Sequence, residues 1–370
     1  MTEQVASRLL IVGSASVHTW RYLAGIAPYV GEVWLASNRD APEQYRPANL
    51  AGFQRIDFRL SSLVASGRLR GWIKAIKPEL VHVHQANSVA WHASRAMRGL
   101  AIPQVLTAWG SDILLLPASN ALFGRMVRSN LQSADVITSD SLYMAARIRE
   151  LAGDDCRIEL LNYGMDALPL TPDLAAKEKR VLSCRLHKPL YRIDAILHAW
   201  AAVEASGRFP DWRLTVAASG DQTPELKRLA ETLALRRVDF PGFIPGHELA
   251  ELYRKSRVFI SVPRSDATSI SLLEAMGHGC LPVLSNLPAN GEWIIDGLNG
   301  CIAEDMSRLS DNLVAAMQQA ADDQRLQFVA DINRQLVTQK ALHADNMRRF
   351  AELYTRTLQA GPKQNAKKKK

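Results

Sequence analysis

Short apolar runs alternate with longer amphipathic segments along this chain, and the alternation, made twice, limits the fold more than any other feature. The first series reads RLLIVGS (8–14), EVWLAS (32–37), FQRIDF (53–58), ELVHVH (79–84), PQVLTA (103–108) and DVITS (135–139). Stretches with helical periodicity, such as SSLVASGRLRGWIKAI and SLYMAARIREL, lie between most of them. β-branched or leucine-rich runs separated by helices are the pattern of a parallel sheet covered on both faces. The pattern pauses at LNYGMDALPLTPDLAAKEK, where Gly164, Pro169 and Pro172 punctuate a polar connection. It resumes with RVLSCR (180–185), WRLTVAA (212–218), VDFPGF (238–243), RVFISVP (257–263), LPVLSN (281–286) and GCIAE (300–304). The pause predicts a boundary between two α/β domains, 1–166 and 167–340, each a Rossmann-like doubly wound parallel sheet. At 370 residues the chain suits two such domains of about 150 to 190 residues. Ligands of these sheets bind outside the carboxyl ends of the strands, so the chemistry is expected in a cleft between the two domains.

Charge and composition narrow the classes of partner. Five of the positive charges behind the formal +8, Lys363 and Lys367 to Lys370, fall in the last eight residues. The body is mildly basic, without a basic stripe interleaved with aromatics, so no nucleic-acid partner is expected. Residues 361–370 read as a disordered basic tail, a solvated end more than a tether to anionic lipid. Cys156, Cys184, Cys280 and Cys301 are scattered, with no metal-ligand spacing, which fits a reducing compartment and no bound metal. No signal-peptide core or run of about 18 apolar residues occurs, so a cytoplasmic protein is expected, associated at most with the inner face of the cytoplasmic membrane. VGSASVHTW after the first run holds a single glycine, which argues against a nicotinamide dinucleotide.

The stretch SDATSISLLEAMGHGCLPVLSNLPANGEW (265–293) carries the chemistry. A turn at 264–268 leads into a helix, SISLLEAMGHG, with Gly277 and Gly279 as stop signals. Thr268, Ser269 and Ser271 surround the helix start near Ile270, where unpaired N–H groups and the positive dipole end attract an anion such as a diphosphate. N-capping needs only one of these hydroxyls. Glu274 lies about 9 Å up the axis from Thr268, the scale of a diphosphate plus ribose, and is expected to accept the ribose hydroxyls. Its neighbours Leu272, Leu273, Ala275 and Met276 are apolar, which weakens a reading of Glu274 as merely solvated. Asp266, in the loop before the helix, is expected at the opposite end, near the sugar.

This segment resembles the donor-site signature of glycosyltransferase family 4, the retaining enzymes of GT-B fold. The signature is an acid, seven residues, a glutamate followed by Ala-Met, and a later Asp-Gly-x-Asn-Gly; here stand Asp266, ATSISLL, Glu274, AM and DGLNG (296–300). Asp replaces the usual first Glu. LNYGMD resembles the family's Asn-x-Gly-Val-Asp at the domain junction, and RVLSCRLHKPLYRID its segment with an Arg and a Lys that clamp the donor diphosphate. Arg185 matches; the lysine position holds Leu190, with Lys188, or failing it Arg192, as the substitute. The resemblance places Gly242 and Phe243 near the nucleotide base. It makes 1–166 an acceptor domain and 167–340 a nucleotide-sugar donor domain, with the helix of 341–360 crossing back to the first. LTAWGSD (106–112) resembles a segment usually read Thr-x-His-Gly-x-Asp, with Trp109 in the histidine position.

The resemblance implies a metal-independent hexosyltransferase that moves a sugar from a UDP-sugar to a glycan or lipid-linked acceptor with retention, in cell-surface polysaccharide synthesis. No cofactor is implied beyond the nucleoside-diphosphate sugar as co-substrate. Asp266, His84 and Asp112 are the candidate catalytic residues, and Gly13, Ser14, His18 and Trp109 the candidates for the acceptor or the cleft. His82 and His84 in VHVH are read as pointing to opposite faces, with His84, nearer the carboxyl end, towards the cleft. DILLLPASNALFGRMVRSNL (112–131), with Arg125 and Arg128, reads either as peripheral membrane contact or as a buried helix after a loop. The rival readings are a sugar-nucleotide epimerase, an inverting GT-B transferase that would need Asp112 or His84 as base, and a non-catalytic nucleotide-sugar-binding partner in a glycan-assembly complex.

Overall fold

The computed structural model describes residues 4–169 and 173–363; Pro172 and Lys367 to Lys370, and with them most of the expected tail, lie outside the described residues. The chain divides into two compact units, one made by the chain up to Tyr163 and again from His343, the other Gly164–Leu342.

The sheet of the first unit contains β1 (Ala6–Val12), β2 (Val30–Ser37), β3 (Leu50–Arg55), β4 (Leu80–His84), β5 (Gln104–Thr107), β6 (Val136–Ser139) and β7 (Ile158–Leu160). All are parallel, in the order β3-β2-β1-β4-β5-β6-β7. Every residue of β4, β5 and β6 is buried, as expected of inner strands covered on both faces. β3 begins and ends three residues before the run expected at 53–58. Ile56 and Phe58 are buried from a loop, and their alternation with polar residues imitates a strand. β7, only three residues long, gave no apolar run to find. Helix His343–Ala360 buries Met347, Phe350, Ala351 and Tyr354, at helical spacing, in the core that also holds Tyr22, Leu23 and Ile26 of helix Val17–Ile26. The Tyr22 and Tyr354 hydroxyls meet at 2.5 Å.

The second unit has β8 (Glu178–Ser183), β9 (Arg213–Ala217), β10 (Val238–Gly242), β11 (Ser256–Ser261), β12 (Leu281–Ser285) and β13 (Cys301–Ala303), parallel in the order β10-β9-β8-β11-β12-β13. Strand order reverses between β1 and β4 in one unit and between β8 and β11 in the other, and a crevice opens beyond the carboxyl ends of such pairs. Gly13 and His84 stand at the first reversal, Arg185 and the 264–269 loop at the second. Buried Lys177 gives its ammonium hydrogens to the carbonyls of Tyr253, Arg254 and Ser256 at 3.2, 3.2 and 2.7 Å, closing the carboxyl end of helix Gly246–Lys255. No helix among the described residues is long and apolar enough to cross a membrane.

Candidate functional site

In the second unit the chain leaves β8 at Cys184 and presents Arg185 to the start of helix Ile270–Gly277. One guanidinium nitrogen bonds the Ser269 hydroxyl and, at 3.2 Å, that of Ser271; another pairs with the Asp266 carboxylate at 2.8 Å. The guanidinium carbon stands 4.5 Å from the centre of the Tyr191 ring. Burial works against this cation, but Asp266 and Tyr191 hold its pKa above the ordinary arginine value. Arg185 is therefore a fixed positive charge beside a helix N-terminus whose N–H groups lack intrahelical partners.

The three hydroxyls divide their work differently from the phosphate seat expected of them. Ser269 is the N-cap residue, yet its side chain caps nothing; with Ser271, 2.8 Å away, it holds Arg185. The Thr268 hydroxyl accepts from the Trp293 indole at 3.2 Å. An anion is left the backbone N–H groups from Ile270 and the guanidinium. Asp266 is engaged by that same guanidinium, so its first observable role is to orient Arg185.

Glu274 looks into a cavity of about 390 Å³ that Asp166, Gly246, Leu249, Tyr253 and His278 also line. Tyr253 is fully buried, bonded to Glu274 and to Cys184 Sγ at 3.0 Å. Burial, then Cys184 and Glu274, push its phenol well above the usual range, so it stays protonated. Met165 packs so close that a Cβ on Gly277 would sit 2.6 Å from its sulfur. Of the other expected donor residues, Gly242 ends β10 at φ +82°, a left-handed conformation that favours glycine, and its carbonyl accepts from Ala218 N–H at 2.7 Å. Phe243 beside it is 74% exposed. Neither lines the Glu274 cavity. Lys188 is exposed and does not join the Arg185 cluster. Arg192 gives hydrogens to the carbonyls of Val262 and Pro263, at 2.6 and 2.9 Å.

In the first unit a chain of rings links the candidates. The Trp109 indole donates to the Tyr163 hydroxyl at 2.9 Å, which is also 2.9 Å from His84 Nδ1. His18 stands edge-on to Trp109 at 5.4 Å and stacks on Tyr163 at 6.2 Å. Gly13 is required by crowding, since a Cβ there would meet Thr19 at 2.9 Å and His84 at 3.3 Å. The Ser14 hydroxyl donates to Gln85 at 2.8 Å.

Three expectations are corrected here. His82 and His84 do not face opposite ways: residues two apart in a strand share a face, and the rings lie 4.5 Å apart. His84 is wholly buried, and burial together with the charge of His18 pushes its pKa down to about 3, so it is a neutral packing residue and not a base open to substrate. Asp112 is also buried and accepts from the N–H groups of Ala86 and Trp109 at 2.6 and 2.9 Å. That is a positioning role, fixing the loops after β4 and β5. The segment 112–131 breaks into helices Ser111–Leu114, Leu116–Ser119 and Ala121–Ser133, with Met126, Val127, Asn130 and Leu131 inward and Arg125 and Arg128 exposed.

The buried histidines carry a pH dependence. His82, bonded to the Tyr354 and Thr107 hydroxyls at 2.6 Å each, is likewise held far below its ordinary pKa by burial. Below about pH 6.5 the unfolded chain takes up protons that these two folded sites refuse, so stability present above that pH is lost as pH falls towards 3, the folded value for His84. Between about pH 6.5 and 5 His84 contributes a loss of about 2 kcal/mol, and His82 adds a loss of the same sign. Urea unfolding at the two pH values should show the drop, and His84→Gln should reduce it.

Comparison with known proteins bears on this site. Residues 8–141 match the family model described as glycosyl transferase 4-like, and residues 178–323 the model for glycosyl transferases group 1. The sulfoquinovosyl transferase SQD2 of Arabidopsis thaliana is 21% identical over 285 residues, 72% of this chain and 54% of that protein. An uncharacterized glycosyltransferase of Haemophilus influenzae is 27% identical over 114 residues, 30% of this chain and 31% of that one. The chain thus spans about half and about a third of the lengths of these relatives. Among solved structures, Anabaena HepE in complex with UDP-glucose superposes with a TM-score of 0.78 at 15% identity, covering 95% of this chain and 100% of that one. Sucrose-phosphate synthase from Thermosynechococcus elongatus gives 0.75 at 16% identity, covering 96% and 100%.

Proposed function

The chain belongs to the group 1, family 4-like glycosyltransferases of GT-B fold, and from that premise we propose that it moves a sugar from a UDP-sugar to a hydroxyl of a glycan or lipid-linked acceptor, with retention at the anomeric carbon, in cell-surface polysaccharide synthesis. The observation that carries the donor half is Arg185, fixed by Ser269, Ser271 and Asp266 at the start of the helix that also holds Glu274 over a cavity. The diphosphate lies on the helix N-terminus and the guanidinium, and Glu274 accepts from the ribose hydroxyls. The choice of UDP is supported by the solved structures of Anabaena HepE with UDP and UDP-glucose.

The acceptor oxygen attacks the anomeric carbon on the face from which the diphosphate leaves. The bond from that carbon to the phosphate oxygen breaks, the new glycosidic bond forms, and the acceptor proton passes to the departing phosphate. Charge gathering on the phosphate is met by Arg185 and the helix N–H groups, a preorganised electrostatic role that asks for no metal. Retention over inversion is supported by His84, which is buried and, with its pKa pushed down to about 3, a weak base, and by Asp112, whose two oxygens are each engaged by a backbone N–H group. Incubation with a panel of UDP-sugars and lipid-linked or glycan acceptors, with and without EDTA, followed by NMR of the product, tests this. The expected product keeps the donor's anomeric configuration at equal yield in EDTA; an inverted anomer would sink the mechanism, and loss of product in EDTA would sink the metal-free reading.

A further inference from the structure

Residues 56–64, between β3 and helix Ala65–Ile76, follow no regular strand or helix and turn large apolar side chains outwards. Leu63 is 97% exposed, Val64 61% and Leu60 44%; in helix Ala121–Ser133 of the same unit Leu122 is 74% exposed. Leu60 is also one wall of a cavity of about 470 Å³ whose exposed lining is mostly apolar, with Leu115, Leu116, Phe123 and Met126 beside polar residues that include Asp112. Arg59, the preceding residue, lines a second cavity of about 500 Å³ together with Arg39, Arg55 and Arg68, at the carboxyl ends of β2 and β3. Consecutive Cα atoms are about 3.8 Å apart, so an apolar groove and a basic cavity meet at a single peptide.

The basic cavity is short of anions. Asp57 is its one acid and is already paired with Arg59 at 2.7 Å. Asp40 nearby pairs with Arg46 at 2.9 Å, and no described carboxylate pairs with Arg39, Arg55 or Arg68. The strap between the cavities is fixed: Phe58 is buried, and His92 bonds the Arg59 carbonyl at 3.0 Å and the Ser66 hydroxyl at 2.9 Å. Several guanidinium groups around a concavity repel one another and match phosphate oxygens in shape and charge. Exposed leucines joined to such a cavity match the boundary between headgroups and acyl chains.

We propose that this face binds a phosphate-bearing lipid at a bilayer surface. The arginine cavity takes the phosphate, the groove beside it takes the first part of the hydrocarbon chain, and Leu63, Val64 and Leu122 enter the interface. The surface lies in the unit assigned to the acceptor; its link to transfer rests on the function proposed above, whereas the binding does not.

The test is cosedimentation of the full chain with vesicles of phosphatidylcholine alone or mixed with phosphatidic acid. The protein should partition onto the mixed vesicles. Arg39→Gln with Arg68→Gln, and separately the charge-neutral Leu63→Gln with Leu122→Gln, should each lower the partition at least about tenfold. A UDP-induced thermal shift should be unchanged in both variants, which shows that they fold and that the donor site is intact. The proposal is overturned if the wild type stays in solution. It is equally overturned if both variants sediment like the wild type, since the lysine-rich end would then carry the binding, or if the leucine pair alone has no effect, since plain charge would suffice. A phosphate-induced shift that the arginine pair abolishes, without any vesicle binding, would instead assign the cavity to a soluble phosphate. Failure of UDP to bind the wild type would count against the donor reading and leave this one standing.

Discussion

Replacing Arg185 with alanine is expected to lower kcat/KM for the UDP-sugar by about a hundredfold to a thousandfold, the size of losing one preorganised donor to a developing oxyanion, about 3 to 4 kcal/mol. The guanidinium spans Asp266, Ser269 and Ser271 at once and lies against Tyr191. Lysine offers a point charge and no fork, so Arg185→Lys should recover only a small part of the rate. The substitution also leaves the half-buried Asp266 carboxylate without its cation, which costs about 1 to 3 kcal/mol of stability. The double variant Arg185→Ala, Asp266→Asn should regain that stability, seen by thermal unfolding, without regaining activity. Steady-state kinetics on the three variants separate the two effects; near-normal turnover by Arg185→Ala would remove the phosphate site from the account.

Glu274→Ala should weaken UDP binding by about tenfold to a hundredfold, the range of a hydrogen bond to a charged group. A sharper signature lies in the ligand. If the carboxylate accepts from the ribose hydroxyls, wild-type protein should prefer UDP to 2′-deoxy-UDP, and the variant should bind the two alike. Calorimetry with both nucleotides reads this directly. Glu274 is bonded to buried Tyr253, so Tyr253→Phe is the control: it should preserve the ribose preference while lowering stability modestly. A variant that keeps the full preference would reassign Glu274 to packing.

The fold was largely legible because inner parallel strands are mostly apolar on both faces, which leaves runs such as LLIV and VFIS in plain view. β7 was hidden because an edge strand of three half-buried or exposed residues has no such run. The false extension of β3 came from Ile56 and Phe58, whose burial is that of a pinned loop. Within the site, Ser269 and Glu274 were identifiable from residue type and spacing along one helix, and Arg185 from the resemblance of RVLSCRLHKPLYRID to the family's diphosphate clamp, whereas their partners were not. Nothing local in the sequence says that Ser269 and Ser271 would hold an arginine 84 and 86 residues away, or that Asp266 would pair with it. Tyr163, which joins Trp109 to His84, sat unremarked in LNYGMD because its hydrogen bonds span 54 and 79 residues. The arginine cavity is another long-range product, drawn from the ends of two strands and the first turn of a helix.

In the function proposed above, the second unit seats a nucleoside diphosphate between Arg185 and the start of helix Ile270–Gly277, with the ribose at Glu274. A crystal structure of the protein with UDP bound tests it most directly. Phosphate oxygens should lie within hydrogen-bonding distance of the Arg185 guanidinium and of the N–H groups at the helix start, with the ribose hydroxyls bonded to the Glu274 carboxylate. UDP bound elsewhere, or bound here in reverse with its base at Arg185, would contradict it.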